Sequence, residues 1–185
     1  MALRIVQETT AELERYQRIP MIVEVTSVFA VIEKDGVWEL LEQPLEYPWS
    51  KDYEEHEEDR LISVARRVDF KDCAIFAAYE DDKRIGGAIV APGEMYEAPK
   101  EVAVLIDLRV APDRARGGSG RALFAAAADW ARASGCSDLY AETQNVNVPA
   151  CRFYEAQGCV ISEVTDGSYA HAPDEIEIIW RLSLG

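Results

Sequence analysis

Apolar residues fall in short blocks along this chain, and the period of the blocks changes from one to the next. Val25 to Glu33 is rich in β-branched and apolar residues, and Val37 to Leu41 repeats the pattern. Lys34-Asp35-Gly36 between them is a turn sequence, so the pair reads as a hairpin. Pro44, Pro48 and Ser50 mark the exit from it. Lys51 to Val68 then reads as a helix whose later half is apolar at Leu61, Ile62, Val64, Ala65 and Val68. A second hairpin joins Cys73–Tyr79 to Arg84–Ala91 around Glu80-Asp81-Asp82-Lys83. Glu101 to Val110 is a strand dominated by Val, Leu and Ile. Beyond a loop from Arg114 to Gly120, a helix runs to about Ser134, and Gly135 stops it. Leu123, Ala127, Trp130 and Ala131 form its buried stripe. Leu139 to Thr143 is a strand, and Pro149 opens a short helix that ends near Gly158. Cys159–Val164 and Glu175–Leu184 are the closing strands. Strands followed by β-α-β-α-β-β make an α/β sheet protein, and 185 residues without a repeat or linker fit one domain, 1–185.

Composition narrows the partners. The formal net charge is -15, which argues against nucleic acid, because neutralising phosphates needs a basic face. It suits a cationic substrate, and equally plain solubility. The run from Asp52 to Asp59 carries much of the excess and reads as a solvated face. No apolar stretch is long enough to span a bilayer, and Met1 to Thr10 lacks the pattern of a signal peptide, so a cytoplasmic protein with no membrane partner is expected. Cys73, Cys136, Cys151 and Cys159 form no C-x-x-C pair and have only His56 and His171 as imidazole company. Reduced thiols and no metal site are therefore expected. The sequence leaves a homodimer open.

One segment stands apart from this acidic background. Val110-Ala-Pro-Asp-Arg-Ala-Arg-Gly-Gly-Ser-Gly-Arg-Ala-Leu123 joins a strand to a helix through Gly117, Gly118 and Gly120. Glycines let the backbone approach an anion, and the free N–H groups of a helix start can point at phosphate oxygens. Arg109, Arg114, Arg116 and Arg121 cluster here, with only Asp113 opposing them. Arg121 in the first helical turn opposes the helix dipole, a conflict that a bound anion would remove. The loop has neither the Gly-Lys-Ser/Thr of a P-loop nor a Rossmann Gly-x-Gly-x-x-Gly.

The segment resembles the acetyl-CoA loop of the GNAT acetyltransferase family, an Arg/Gln-x-x-Gly-x-Gly/Ala pattern after a Val-Ala-Pro strand end. Gly118 and Gly120 match the two small positions. Ala115 stands where the family prefers Arg or Gln, and Arg116 where Gly is frequent, so the basic residue is displaced by one place. A second motif, Asn147-Val-Pro-Ala150-Cys-Arg-Phe-Tyr154 followed by Gly158, is similar to the family's Asn-x-x-Ala-x-x-x-Tyr. Helical spacing puts Asn147, Ala150 and Tyr154 on one face. Glu142-Thr-Gln-Asn-Val-Asn-Val-Pro-Ala-Cys151 and Glu175-Ile-Glu-Ile-Ile-Trp180 resemble the streptothricin acetyltransferase branch, which also carries an N-terminal hairpin.

The resemblance implies a mixed, mostly antiparallel central sheet flanked by helices. It implies an N-acetyltransferase using acetyl-CoA and no metal, with a small cationic amine such as streptothricin as acceptor, an antibiotic-resistance activity. A protein N-terminus or lysine as acceptor, or a non-catalytic acetyl-CoA-binding module, are the alternatives. The cofactor contacts it implies are Leu108, Arg109, Val110, Arg116, Gly117, Gly118, Ser119, Gly120, Arg121, Asn147, Ala150 and Tyr154. The acceptor amine must be neutral to attack, while a free alkyl amine has a pKa near 10.4, so a carboxylate base is needed. Asp107 and Glu142 are the candidates; the other role for Asp107 is orienting substrate, and for Glu142 pairing with an arginine. The Leu108 N–H is the candidate oxyanion donor. Tyr154, a phenol of pKa about 10, suits protonation of the leaving thiolate. Cys151 lacks a histidine partner and reads as helix packing.

Overall fold

The computed structural model describes residues 2–67 and 69–185. In chain order the elements are β1 (Leu3–Glu8), α1 (Leu13–Tyr16), β2 (Ile22–Lys34), β3 (Val37–Asp52), α2 (Leu61–Arg67), β4 (Ala74–Glu80), β5 (Lys83–Pro92), β6 (Val102–Val110), α3 (Ser119–Ala133), β7 (Asp138–Gln144), α4 (Val148–Ala156), β8 (Val160–Asp166) and β9 (Ile176–Ser183). This is an α/β fold of mostly antiparallel sheet flanked by helices. The chain forms two compact units. One holds the residues up to Met21, Tyr53–Leu139 and Leu184–Gly185; the other holds Ile22–Asp52 and Tyr140–Ser183.

In the first unit the strands run β1-β4-β5-β6, each pair antiparallel. Gly86 and Gly87 sit side by side on β5, so positions there face opposite sides of the sheet. A Cβ on Gly87 would fall 2.2 Å from the Tyr16 ring, and one on Gly86 would fall 3.0 Å from Leu123 Cδ1. The two glycines thus let α1 approach one face and α3 the other. Leu13, Tyr16, Leu61, Phe70, Ile75 and Ile89 form the core on the α1 side. On α3 the stripe is buried at Leu123, Ala127 and Ala131 and widened by Phe124 and Ala128, while Trp130 is half-buried.

The second unit contains a two-stranded ribbon, β2 with β3, and the strand order β7-β9-β8. The ribbon turns at Asp35 and Gly36, both with positive φ (52° and 78°), as a two-residue hairpin requires. Asn145, at the end of β7, joins these parts with four hydrogen bonds. Its N–H donates to Ile176 O (2.9 Å) and its Oδ1 accepts from the Ile176 N–H (2.9 Å). Its carbonyl accepts from the Phe29 N–H (2.9 Å) and its Nδ2 donates to Phe29 O (3.0 Å). Every polar group of this buried side chain has a partner, the condition under which burying an amide is tolerated.

Three expectations need correction. Pro44 and Pro48 do not end the hairpin: β3 continues through both to Asp52. A two-stranded ribbon leaves each strand one edge without ladder bonds, where proline is tolerated. The helix expected from Lys51 to Val68 is confined to Leu61–Arg67; the acidic stretch before it holds the end of β3 and a short 3-10 turn, Glu57–Asp59. Val68 lies outside the described residues. β1 and α1 were not expected. Leu3–Glu8 has weak alternation because β1 stands at the end of its strand order, and four residues give α1 no periodicity to read.

Candidate active site

The glycine loop leaves β6 with the Ala111 N–H bonded to Ile85 O (2.8 Å), and Pro112–Arg114 form a 3-10 turn. Arg116 adopts φ 65° and Gly118 φ 86°. The first of these is a left-handed conformation that a non-glycine residue resists. It falls where the family pattern often has glycine. α3 begins at Ser119, and Ala122 N–H donates to Gly118 O (3.1 Å). The N–H groups of Ser119, Gly120 and Arg121 precede the first intrahelical bond and are open to an external acceptor. Ser119 Oγ is buried with no hydrogen-bond partner among the described residues. Arg116 and Arg121 are exposed beside them. Open N–H groups, a buried hydroxyl and two cations make a donor set that fits the pyrophosphate of acetyl-CoA.

The other two arginines of the cluster are used differently. Arg114 pairs with Glu80 at 3.4 Å. Arg109 is buried, and its guanidinium turns to the α1 side of the sheet. Nε donates to Asp107 Oδ1 (2.9 Å), Nη2 donates to Asp107 Oδ2, and Nη1 donates to Ile19 O (3.0 Å) and Glu54 Oε2 (3.2 Å). The basic cluster expected around the loop is therefore smaller, and Arg109 has only its backbone to offer there. Burial works against the Arg109 charge, but Asp107, Tyr16 and Glu54 outweigh it and raise its pKa. Tyr16 Oη donates to Asp107 Oδ1 at 2.8 Å, and burial together with the Asp107 charge holds that phenol well above its usual pKa. Both oxygens of Asp107 are thus engaged. Leu108, between Asp107 and Arg109, and Val110, at the end of β6, are half-buried.

In the second unit, Asn147 caps α4: its Oδ1 accepts from the Ala150 N–H at 3.2 Å. The motif asparagine therefore fixes the helix start, and Ala150 behind it is half-buried. Tyr154 is buried on α4, its ring 6.3 Å from that of Trp180, whose Nε1 donates to Thr143 Oγ1 (2.9 Å). Cys151 packs beneath, its Sγ 3.5 Å from Thr143 Oγ1, and burial pushes its thiol up to about 11. A neutral thiol at that depth is packing, not a nucleophile.

Glu142 lies on β7 with Gln144 two positions on. Tyr169, from the loop between β8 and β9, donates its hydroxyl to Glu142 Oε1 (2.7 Å) and accepts from Gln144 Nε2 (3.0 Å). Although Glu142 presents surface to solvent, partial burial of its carboxyl raises its pKa; Glu177 adds to this, and the Tyr169 bond opposes it. Tyr16, Glu54, Asn145 and Tyr169 had no part in the expected site. Asn145 sits in a motif stretch singled out in the sequence, and Glu54 in the acidic run read there as a solvated face, which its bond to Arg109 corrects.

Residues 34–159 match the Acetyltransferase (GNAT) family. The chain is 30% identical over 149 residues to streptothricin acetyltransferase A of Bacillus subtilis (strain 168), covering 80% of each chain. The fold is that of a nourseothricin acetyltransferase (TM-score 0.80, 23% identity, 100% of both chains). It is also that of a Bacillus anthracis str. Ames protein solved in complex with acetyl coenzyme A (TM-score 0.82, 24% identity, 98% of this chain and 99% of that one).

Proposed function

The chain belongs to the GNAT acetyltransferase family and is an acetyl-CoA-dependent N-acetyltransferase; from that premise we propose that its acceptor is a small polycationic amine, with streptothricin first in line. The observation that carries this reading is the similarity to streptothricin acetyltransferase A over 80% of both chains. The net charge of -15 supports it, since an acidic protein gathers cations. Four free thiols accord with a cytoplasmic enzyme.

In this reading the N–H groups of Ser119, Gly120 and Arg121 and the Ser119 hydroxyl hold the pyrophosphate, with Arg121 and Arg116 neutralising it, while the Gly117 N–H is spent on Arg114 O (3.4 Å). Acetyl-CoA supplies the activated acetyl thioester. The Leu108 N–H serves the oxygen on which charge develops. Tyr154 keeps its proton for the leaving thiolate. Glu142 accepts the proton of the incoming ammonium, directly or through water. Asp107 is the weaker candidate for that role, because Arg109 and Tyr16 already hold both its oxygens. It anchors β6 to the segment around Ile19 and Glu54 instead.

A panel of acceptors, followed by release of the CoA thiol, tests the assignment. Streptothricin and other polyamines should be acetylated, and a peptide N-terminus should not. Ready acetylation of the peptide with none of streptothricin would replace the antibiotic reading by a protein acetyltransferase. Acetyl-CoA binding without turnover of any amine would leave a binding module.

A further inference from the structure

The loop between β8 and β9 sends two consecutive hydroxyls back to two glutamates on neighbouring strands. Gly167, at φ 71°, turns the chain into the loop. Ser168 Oγ then donates to Glu177 Oε2 on β9 (2.6 Å), and Tyr169 Oη donates to Glu142 Oε1 on β7 (2.7 Å). Gln144 Nε2 donates to Tyr169 Oη (3.0 Å), which fixes the phenol as a donor toward Glu142. An acceptor oxygen that already receives one hydrogen bond polarises its own O–H and donates it more strongly. The Glu177 carboxylate nearby disfavours ionisation of Glu142. The Tyr169 hydroxyl is the group that offsets this.

We propose that Tyr169 is a positioning residue for acetyl transfer: it orients the Glu142 carboxylate and keeps it ionised, so that the acceptor ammonium can lose its proton there. This rests on the reading of Glu142 as proton acceptor. The proton passes from the acceptor nitrogen to Glu142, and Tyr169 retains its own throughout. Burial raises the Tyr169 pKa, with Glu142 adding to it, so the hydroxyl stays protonated over the working range. The groups that face Glu142 are Tyr169 from the loop and Glu177 from β9, with Gln144 acting through Tyr169.

The sign of the effect follows. A base works only when deprotonated. The Tyr169 hydrogen bond favours the charged carboxylate, while burial and Glu177 oppose it. Tyr169→Phe removes only the favourable contribution, so the acid limb of the rate profile must move to higher pH. A hydrogen bond to a charged group is worth enough to lower kcat/KM about tenfold at pH values on that acid limb when it is lost.

The experiment measures pH profiles of kcat/KM for the wild type, Tyr169→Phe, Glu142→Gln and the double variant, using the amine turned over best in the acceptor panel. In parallel, the Glu142 carboxyl is titrated by carbon NMR in the wild type and Tyr169→Phe, which needs no acceptor. The expected result is an upward shift of both the acid limb and the NMR titration in Tyr169→Phe, with KM for acetyl-CoA unchanged. Glu142→Gln should abolish the limb, and adding Tyr169→Phe to it should change little more. Gln144→Leu should move the limb the same way by less, and it tests the same chain of bonds should Tyr169→Phe fold poorly. A wild-type profile and titration in Tyr169→Phe, beside a defective Glu142→Gln, overturns the positioning role and leaves the base in place. Wild-type turnover in Glu142→Gln removes the base itself, and the positioning role with it.

Discussion

Arg121 shows how one side chain can carry two opposed effects. It is a cation in the first turn of α3, where the helix dipole disfavours positive charge. Arg121→Glu should therefore raise stability by about 0.3–1 kcal/mol and weaken acetyl-CoA binding in the same protein. Calorimetry beside a thermal melt reads both, and unchanged affinity would remove Arg121 from the pyrophosphate site. Tyr154→Phe separates packing from chemistry. The ring is buried against Trp180, so the phenylalanine should keep the fold while kcat falls about 100- to 10,000-fold, as for a lost general acid. A wild-type kcat, with chemistry rate-limiting, would assign Tyr154 to the core alone. Among the described residues, Asp107→Asn leaves the buried Arg109 charge with Glu54 alone as a carboxylate partner, so urea unfolding should show a loss on the order of 3 kcal/mol. Residues of the first kind were legible in the sequence because their motifs are local: Gly118, Gly120, Asn147 and Tyr154 each sit within a few positions of their motif neighbours. Tyr16 reaches Asp107 across 91 positions, Arg109 reaches Glu54 across 55, and Tyr169 reaches Glu142 across 27. No periodicity or spacing rule connects such pairs, and only the folded chain brings them together.

Elements were legible where one period persisted and turn chemistry bounded it. The β4–β5 hairpin, β6, α3, β7 and α4 lie within a residue or two of their expected limits. The failures have a common physical cause: the rule in use depended on a neighbour. Proline breaks a central strand but not the open edge of a ribbon, and β3 runs through two of them. A charge-rich stretch before an apolar one looks like the polar face of a helix, yet Glu54 within it is drawn to Arg109 and the chain turns there instead. The paired glycines of β5 carry the same lesson. In isolation Gly86 and Gly87 weaken a strand; here they admit α1 and α3. Gly87→Ala would place a methyl inside the Tyr16 ring, which cannot retreat without releasing Asp107. The expected outcome is a loss of about 1–3 kcal/mol by overpacking. Turnover should fall as well, because β6 loses its anchor. An alanine variant with wild-type melting temperature and kcat would mean that the Tyr16–Asp107 contact is dispensable.

At the scale of the whole molecule, charge gives the last prediction. The chain carries 34 acidic and 19 basic residues, and the exposed run from Glu55 to Asp59 concentrates part of the excess. Such a field does little for the chemical step, since carboxylates around an ammonium raise its pKa and hinder the neutral amine that must react. Its benefit lies in capture: a polycation is drawn in faster and held longer than a neutral competitor. Capture by exposed charges is screened, and the Debye length falls from about 10 Å at 0.1 M salt to about 3 Å at 1 M. For streptothricin or another polyamine, kcat/KM should therefore fall steadily as salt rises, while kcat at saturation stays nearly constant. Acetyl-CoA is an anion repelled by the acidic protein as a whole but attracted by Arg116 and Arg121, and salt screens both effects, so its KM should depend only weakly on salt. The contrast between the two substrates is the distinguishing sign, because a general effect of salt on the fold would impair both together. A monoamine of similar size, assayed beside the polyamine, should show a shallower slope in proportion to its lower charge. Equal slopes for the two amines would mean that the acidity of this chain serves solubility alone, and that acceptor choice rests on shape within the site.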